Sequence, residues 1–161
     1  VARLSGVAPA RILPEAWRLK LPASPHISAR AEGVEIDPAR LVPPEVPGPL
    51  VIETAGGVMV PLTDDLPTIE LLARWRLPVI LVARTALGTI NHSLLTLEAV
   101  RRRDIPIHGV AFVGDEERAP QETIARMGGV RQLGRLPRVE PLNAATLRAA
   151  FENAFSAEDF A

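Results

Sequence analysis

From Pro49 onward, short apolar runs alternate with stretches in which apolar residues recur at helical spacing. The first run, Pro49–Ile52, leads into Glu53 and predicts a buried strand, with Thr54-Ala55-Gly56-Gly57 forming a turn beyond it. The second, Pro78–Ala83, is rich in β-branched residues and continuous rather than alternating, the pattern of a parallel strand covered on both faces. The third, Gly109–Val113, ends at Gly114-Asp115. Between the first two lies a predicted helix over Thr63–Arg76, with Ile69, Leu71, Leu72 and Trp75 on one face and Asp64 or Asp65 at its start. Between the second and third, Thr89–Arg103 places Ile90, Leu94, Leu95, Leu97 and Val100 on the inner side of another helix. The last third predicts a short helix at Pro120–Met127, a strand around Gln132–Leu136, a break at Pro137 and a helix from Asn143 to Phe155. Strands alternating with helices imply a mostly parallel sheet joined by right-handed crossovers, an α/β layer fold.

Residues 1–48 carry less pattern. Arg3, Leu4 and Val7 fit the tail of a helix, and Leu13–Trp17 is an apolar patch without clear period. Ser24 is placed to cap a helix with Pro25 in its first turn, and His26 beside it reads as a surface or capping residue rather than a ligand. The proline-rich stretch 33–48 reads as a linker or irregular excursion.

Composition narrows the classes of partner. The 161 residues suffice for one α/β domain over 1–161 with one core. Eighteen Lys and Arg against nineteen Asp and Glu give no field that would attract nucleic acid or an anionic membrane. There is no cysteine, and His26, His92 and His108 do not pair at ligand spacing. No apolar run approaches the ~20 residues that cross a bilayer. A cytoplasmic location is the expectation.

Candidate chemistry collects at the ends of the predicted strands. A buried strand does not end on an uncompensated carboxylate cheaply, so Glu53 is expected at an edge where something meets it. It reads either as a carboxylate that positions magnesium or substrate, or as an acid that caps a turn. Gly56 and Gly57 let the backbone turn and approach a ligand. Arg84–His92 follows the second strand and opens a helix, where free N–H groups and the helix dipole favour an anion. Ordinary capping by Thr89 or Asn91 is the alternative there, and His92 reads as solvent-facing on another side of that helix. Gly114-Asp115 and Gly134–Pro137 are two further exits on what is expected to be the same sheet edge. The sequence contains no G-x-x-x-x-G-K-[ST] motif and no nucleophile triad in recognisable local context.

The segments P-A-S-P-H-I-S-A (22–29), V-I-E-T-A-G-G-V-M-V-P-L (51–62) and P-V-I-L-V-A-R-T-A-L-G-T-I-N-H-S-L-L-T-L-E-A-V (78–100) closely resemble the dethiobiotin synthase family. That resemblance implies a three-layer P-loop NTPase-like fold. The implied activity is an ATP-dependent closure of the ureido ring of dethiobiotin from diaminopelargonic acid and CO2 through a carbamate and its phosphoric anhydride. By position, Glu53 corresponds to an acid that helps hold Mg2+. Glu53, Thr54, Ala55 and Gly56, together with Gly114, Asp115, Pro137, Arg138 and Val139, would meet the nucleotide. Gly56, Gly57, Gly88, Asn91 and Thr123 would meet the diamino acid, Gly88 and Asn91 from the opposite subunit of a homodimer.

Departures from the family pattern accompany this. Thr54 stands where a glycine is usual, narrowing the space beside the phosphates, and Gly114 stands where the family has an amide, so base recognition loosens or falls to backbone groups. No tyrosine is available near the substrate tail, and Thr123 is the nearest replacement. The family's P-loop, its lysine-bearing strand and a further magnesium aspartate would all lie before Val1. Val1–Leu4 resembles the helix after that aspartate, so the chain is expected to be about the last three-quarters of such an enzyme, lacking the N-terminal strands and the catalytic lysines. The competing expectations are a dimerising, ligand-binding relative without ATPase activity, and a partition-type ATPase fragment, which the lack of a basic patch disfavours.

Overall fold

In a computed structural model, which describes residues 1–160, the chain runs through six helices and three strands. In order they are α1 (Ala2–Ser5), α2 (Pro25–Glu32), α3 (Thr68–Trp75), β1 (Val79–Arg84), α4 (Thr89–Arg101), β2 (Ile107–Val113), α5 (Arg118–Gly128), β3 (Gln132–Leu136) and α6 (Ala144–Ala154). The residues form two compact units, one of 1–13 with 78–161 and one of 14–77.

The first unit is built on a sheet ordered β1-β2-β3, with both pairs parallel. A parallel pair needs a crossover, and α4 and α5 supply the two. Continuous apolar runs account for the core: Ala83, Val110 and Phe112 from the strands meet Leu97 of α4 and Ile124 of α5. Phe112 and Ile124 are fully buried, each contributing about 1.5–3 kcal/mol of transfer free energy. Helices α4 and α5 approach closely at Gly128, where a Cβ would lie 2.6 Å from Leu97 Cδ1. The Arg101 guanidinium closes the end of α5 by donating to the Gly128 and Gly129 carbonyls. Phe151 and Phe155 stack at 4.7 Å, and Phe160 meets them tilted and edge-on at 5.2 and 5.9 Å. His108 Nε2 donates to the Asp159 carbonyl at 2.7 Å.

Six expectations from the pattern hold in this unit to within two residues: the strands expected at 78–83, 109–113 and around 132–136, and the helices expected over 89–103, 120–127 and 143–155. The expectation that the first of these strands is covered on both faces does not. Ala83 is buried and Val79 and Leu81 are partly covered on the same face, but Ile80 and Val82 on the opposite face are exposed, Val82 to 62%.

The second unit holds α2 and α3. Ser24 occupies the N-cap position of α2 without a side-chain bond. Ser28 makes the link instead, donating to the Leu21 and Ala23 carbonyls, while Glu32 Oε1 accepts from the Lys20 and Leu21 N–H groups. Farther along, Trp75 Nε1 donates to the Leu41 carbonyl at 2.7 Å, and the Arg40 guanidinium lies 5.0 Å from the Trp17 ring centroid.

Two expectations are corrected here. Residues 49–53 are not a strand: they pair with no neighbour, and Val51 is 92% exposed. Pro47 and Pro49 bring no N–H to a ladder, so apolar density there does not translate into pairing. The helix expected over 63–76 starts only at Thr68, behind Pro67, and neither Asp64 nor Asp65 caps it. Asp64 instead accepts from Arg30 Nη2 at both carboxylate oxygens, at 2.6 and 2.7 Å. The first N–H groups of α3 are met by the backbone, Thr68 N by Val60 O at 2.9 Å and Ile69 N by Val58 O at 2.8 Å.

Candidate functional site

In a parallel sheet all strands exit at the same edge, and this is where the exposed chemistry of the first unit lies. The loops after β2 and β3 are bonded together there. Gly114 is buried in a left-handed conformation (φ 127°), and its N–H donates to the Leu136 carbonyl at 3.0 Å. Its carbonyl accepts from Arg135 Nη1 at 2.7 Å. Arg138 Nε reaches Asp115 Oδ2 at 3.3 Å, with both side chains exposed. Thr85, at the exit of β1, donates its N–H to the Val113 carbonyl at 3.0 Å, and its hydroxyl fills the place a Cβ on Gly114 would take. Beside this rim the Glu116 carboxyl is held below its ordinary pKa, first by the hydrogen-bonded Arg118 guanidinium and slightly by Arg135, against a small effect of burial.

The start of α4 has Gly88 at its N-cap (φ 90°) with no side-chain cap. Capping by Thr89 or Asn91 is therefore excluded. Asn91 is exposed and uncommitted to the helix end, which retains the character of an anion site. The expectation that His92 points to another side of the helix is corrected: its ring folds back toward Gly88, with Cε1 3.7 Å from where a Cβ would stand, although it is exposed as expected. Thr123 lies within α5 and is half-buried.

In the other unit, Glu53 is exposed and precedes a tight turn. Thr54 Oγ1 donates to the Gly56 carbonyl at 3.2 Å, and Gly56 N–H returns to the Thr54 carbonyl at 3.0 Å. Gly56 requires φ 90°, and a Cβ there would stand 3.0 Å from Val60 Cγ2. Ala55 and Gly57 complete the turn, both exposed. Val58 and Val60, immediately beyond, are the residues whose carbonyls take the first N–H groups of α3, so the turn is anchored at its far end.

Among the described residues no three His, Cys, Asp or Glu side chains come together as a metal site. Mg2+ is ordinarily held by one or two carboxylates, with water and phosphate oxygens completing its octahedron. Glu53 is a free, exposed carboxylate of the right kind. No helix among the described residues is long and apolar enough to cross a membrane.

The pattern of the sequence pointed to Gly114, Asp115 and Pro137, and these do converge with Arg138. It did not single out Thr85 or Arg135 as partners of Gly114. The available signal was an arginine inside a strand two residues before a proline, where an apolar residue is usual.

A parallel sheet with its glycine exits gathered at one edge is the framework of the P-loop α/β proteins, and a family model described as an AAA domain matches residues 1–146. The chain is 59% identical over 160 residues to the ATP-dependent dethiobiotin synthetase BioD of Agrobacterium fabrum, covering 99% of this chain and 76% of that protein. It is 60% identical over 161 residues to the protein of the same name from Rhizorhabdus wittichii, covering 100% and 77%. To that of Rhodopseudomonas palustris it is 58% identical over 160 residues, covering 99% and 77%. The chain belongs to the dethiobiotin synthetase family.

Proposed function

We propose that this protein is an ATP-dependent cyclo-ligase of biotin biosynthesis that converts 7,8-diaminopelargonic acid and CO2 to dethiobiotin, with residues 1–161 contributing one α/β catalytic domain. The observation that carries the reading is identity of 59–60% along essentially the whole chain to synthetases of that name.

The chemistry follows from the substrates. One amine of the diamino acid captures CO2 as a carbamate, ATP phosphorylates the carbamate oxygen, and the second amine attacks the carbonyl carbon and expels phosphate, closing the five-membered ring. Each step needs positioning and stabilisation of negative charge more than a protein nucleophile. In this reading the rim of Gly114, Asp115, Pro137, Arg138 and Val139 holds the nucleotide base. The turn Thr54-Ala55-Gly56-Gly57 lies against phosphates and substrate, its exposed glycines allowing close backbone approach. Thr54, hydrogen-bonded within its own turn, shapes this space rather than reaching out of it. Glu53 would supply a carboxylate to Mg2+, which when bound offsets the charge on the transferring phosphoryl group. Gly88 and the exposed Asn91 at the uncapped start of α4, with Thr123, receive the tail carboxylate of the diamino acid across a homodimer. Localisation in the cytoplasm fits soluble substrates and the absence of an apolar spanning helix among the described residues.

The test is direct. The full-length protein is incubated with diaminopelargonic acid, bicarbonate and Mg-ATP, and dethiobiotin is detected by mass. Formation of dethiobiotin with stoichiometric ADP supports the assignment. ATP binding without product would leave the protein a ligand-binding relative and sink it.

A further inference from the structure

We propose that Arg135 is a positioning residue that sets the geometry of the nucleotide rim by holding the Gly114 carbonyl. The proposal rests on the reading of loops 114–115 and 137–139 as the place where nucleotide binds. Gly114 is the fixed point of that rim. It is buried and left-handed, its N–H is committed to Leu136, and Thr85 Oγ1 occupies the space of its missing Cβ. Its carbonyl, the remaining backbone polar group, is oriented by the bond it accepts from Arg135. Asp115 and loop 137–139, which share the rim with Gly114, are placed by where Gly114 is held.

Two side-chain contacts from β3 and its exit reinforce the backbone bond between Gly114 and Leu136, and they are unequal. The Arg138–Asp115 pair is long and exposed at both ends, 3.3 Å with side chains 79% and 72% accessible, so water and salt compete with it. The Arg135 bond is 2.7 Å, partly buried and charge-assisted, and losing it leaves a carbonyl of a buried residue without a partner. Arg135 is also rooted in the sheet, opposite Phe112 in the β2–β3 register, which fixes its starting point. Its hydrogen bond goes to backbone, the Gly114 carbonyl, so the influence proposed for it on nucleotide runs through Gly114.

The test uses the full-length protein and compares Arg135→Met, Arg135→Lys and Gly114→Ala. Arg135→Met is expected to raise KM for ATP about tenfold, with kcat and KM for diaminopelargonic acid changed by less than about twofold. Arg135→Lys, which keeps a cationic donor, is expected to recover part of the loss. Gly114→Ala displaces the same carbonyl by another route, so adding Arg135→Met to it should cost less than the product of the two single changes. Calorimetric binding of a non-hydrolysable ATP analogue reads the same differences without turnover, and so does not depend on the ring-closing assignment. If Gly114→Ala weakens ATP binding while Arg135→Met leaves it unchanged, the role of Arg135 is overturned. If Gly114→Ala leaves ATP binding unchanged, the nucleotide is misplaced and the reading beneath the proposal fails. A parallel loss for both substrates would make Arg135 merely structural and also overturn it. Should Arg135→Met not fold, Arg135→Gln decides, since its amide is too short to reach the Gly114 carbonyl and wild-type ATP affinity in it overturns the proposal.

Discussion

At the scale of single residues, Glu53 and Asn91 are exposed side chains that the fold does not use, which makes their functional roles separable from stability. Glu53→Gln keeps size and removes charge. It is expected to lower kcat about a hundredfold at saturating substrate, the order seen when a group stabilising transition-state charge is removed, with little change in diamino-acid binding or in melting temperature. Equal losses in turnover and binding would show that the carboxylate holds the turn instead. For Asn91 the structure removes the competing explanation. Since Gly88 is the N-cap and no side chain closes the first turn of α4, Asn91→Ala should not cost the roughly 1 kcal/mol of a lost cap. It should raise KM for diaminopelargonic acid about tenfold, and an unchanged KM would remove Asn91 from the site.

At the scale of elements, α6 and α3 show what a linear pattern reveals and what it hides. Asn143 was legible as the start of a helix because its capping is local. Its Oδ1 accepts from the Ala145 and Thr146 N–H groups, both at 3.0 Å, while Thr146 Oγ1 accepts from the Asn143 N–H at 3.2 Å. Asn143→Ala should therefore destabilise the protein by about 1 kcal/mol, read as a lowered denaturant midpoint with an unchanged slope. The start of α3 was misread because its partners are not local in kind. Two aspartates before an apolar face are the usual signal, yet the N–H groups are met by carbonyls of Val58 and Val60, which any residue could offer. Residues 49–53 show the complementary failure. Apolar density is a side-chain property, whereas a strand is defined by a neighbour that accepts its hydrogen bonds, and a single sequence does not display the neighbour.

At the scale of the whole molecule, the candidate site divides unevenly between what topology dictates and what contact dictates. Parallel strands must exit together, so Gly114-Asp115 and Gly134–Pro137 could be placed on one edge from the pattern alone. The side-chain bond between them, Arg135 to Gly114, depends on side-chain reach across β2 and β3 and was not legible. The same distinction predicts how protection from solvent exchange is distributed. Val110 and Phe112 are fully buried on the central strand, which is bonded on both sides, so the amides of β2 should exchange slowest, near the limit set by global unfolding. β1 is an edge with half its backbone groups unpaired in the sheet, and its amides should alternate between slow and fast. Residues 49–52 are apolar and lead into Glu53, but the segment is irregular and exposed and should exchange within the fastest class despite its composition. Hydrogen exchange followed by mass spectrometry resolves the three segments. Protection at 49–53 equal to that of β2 would mean that this run is paired in solution, and that Glu53 ends a strand after all.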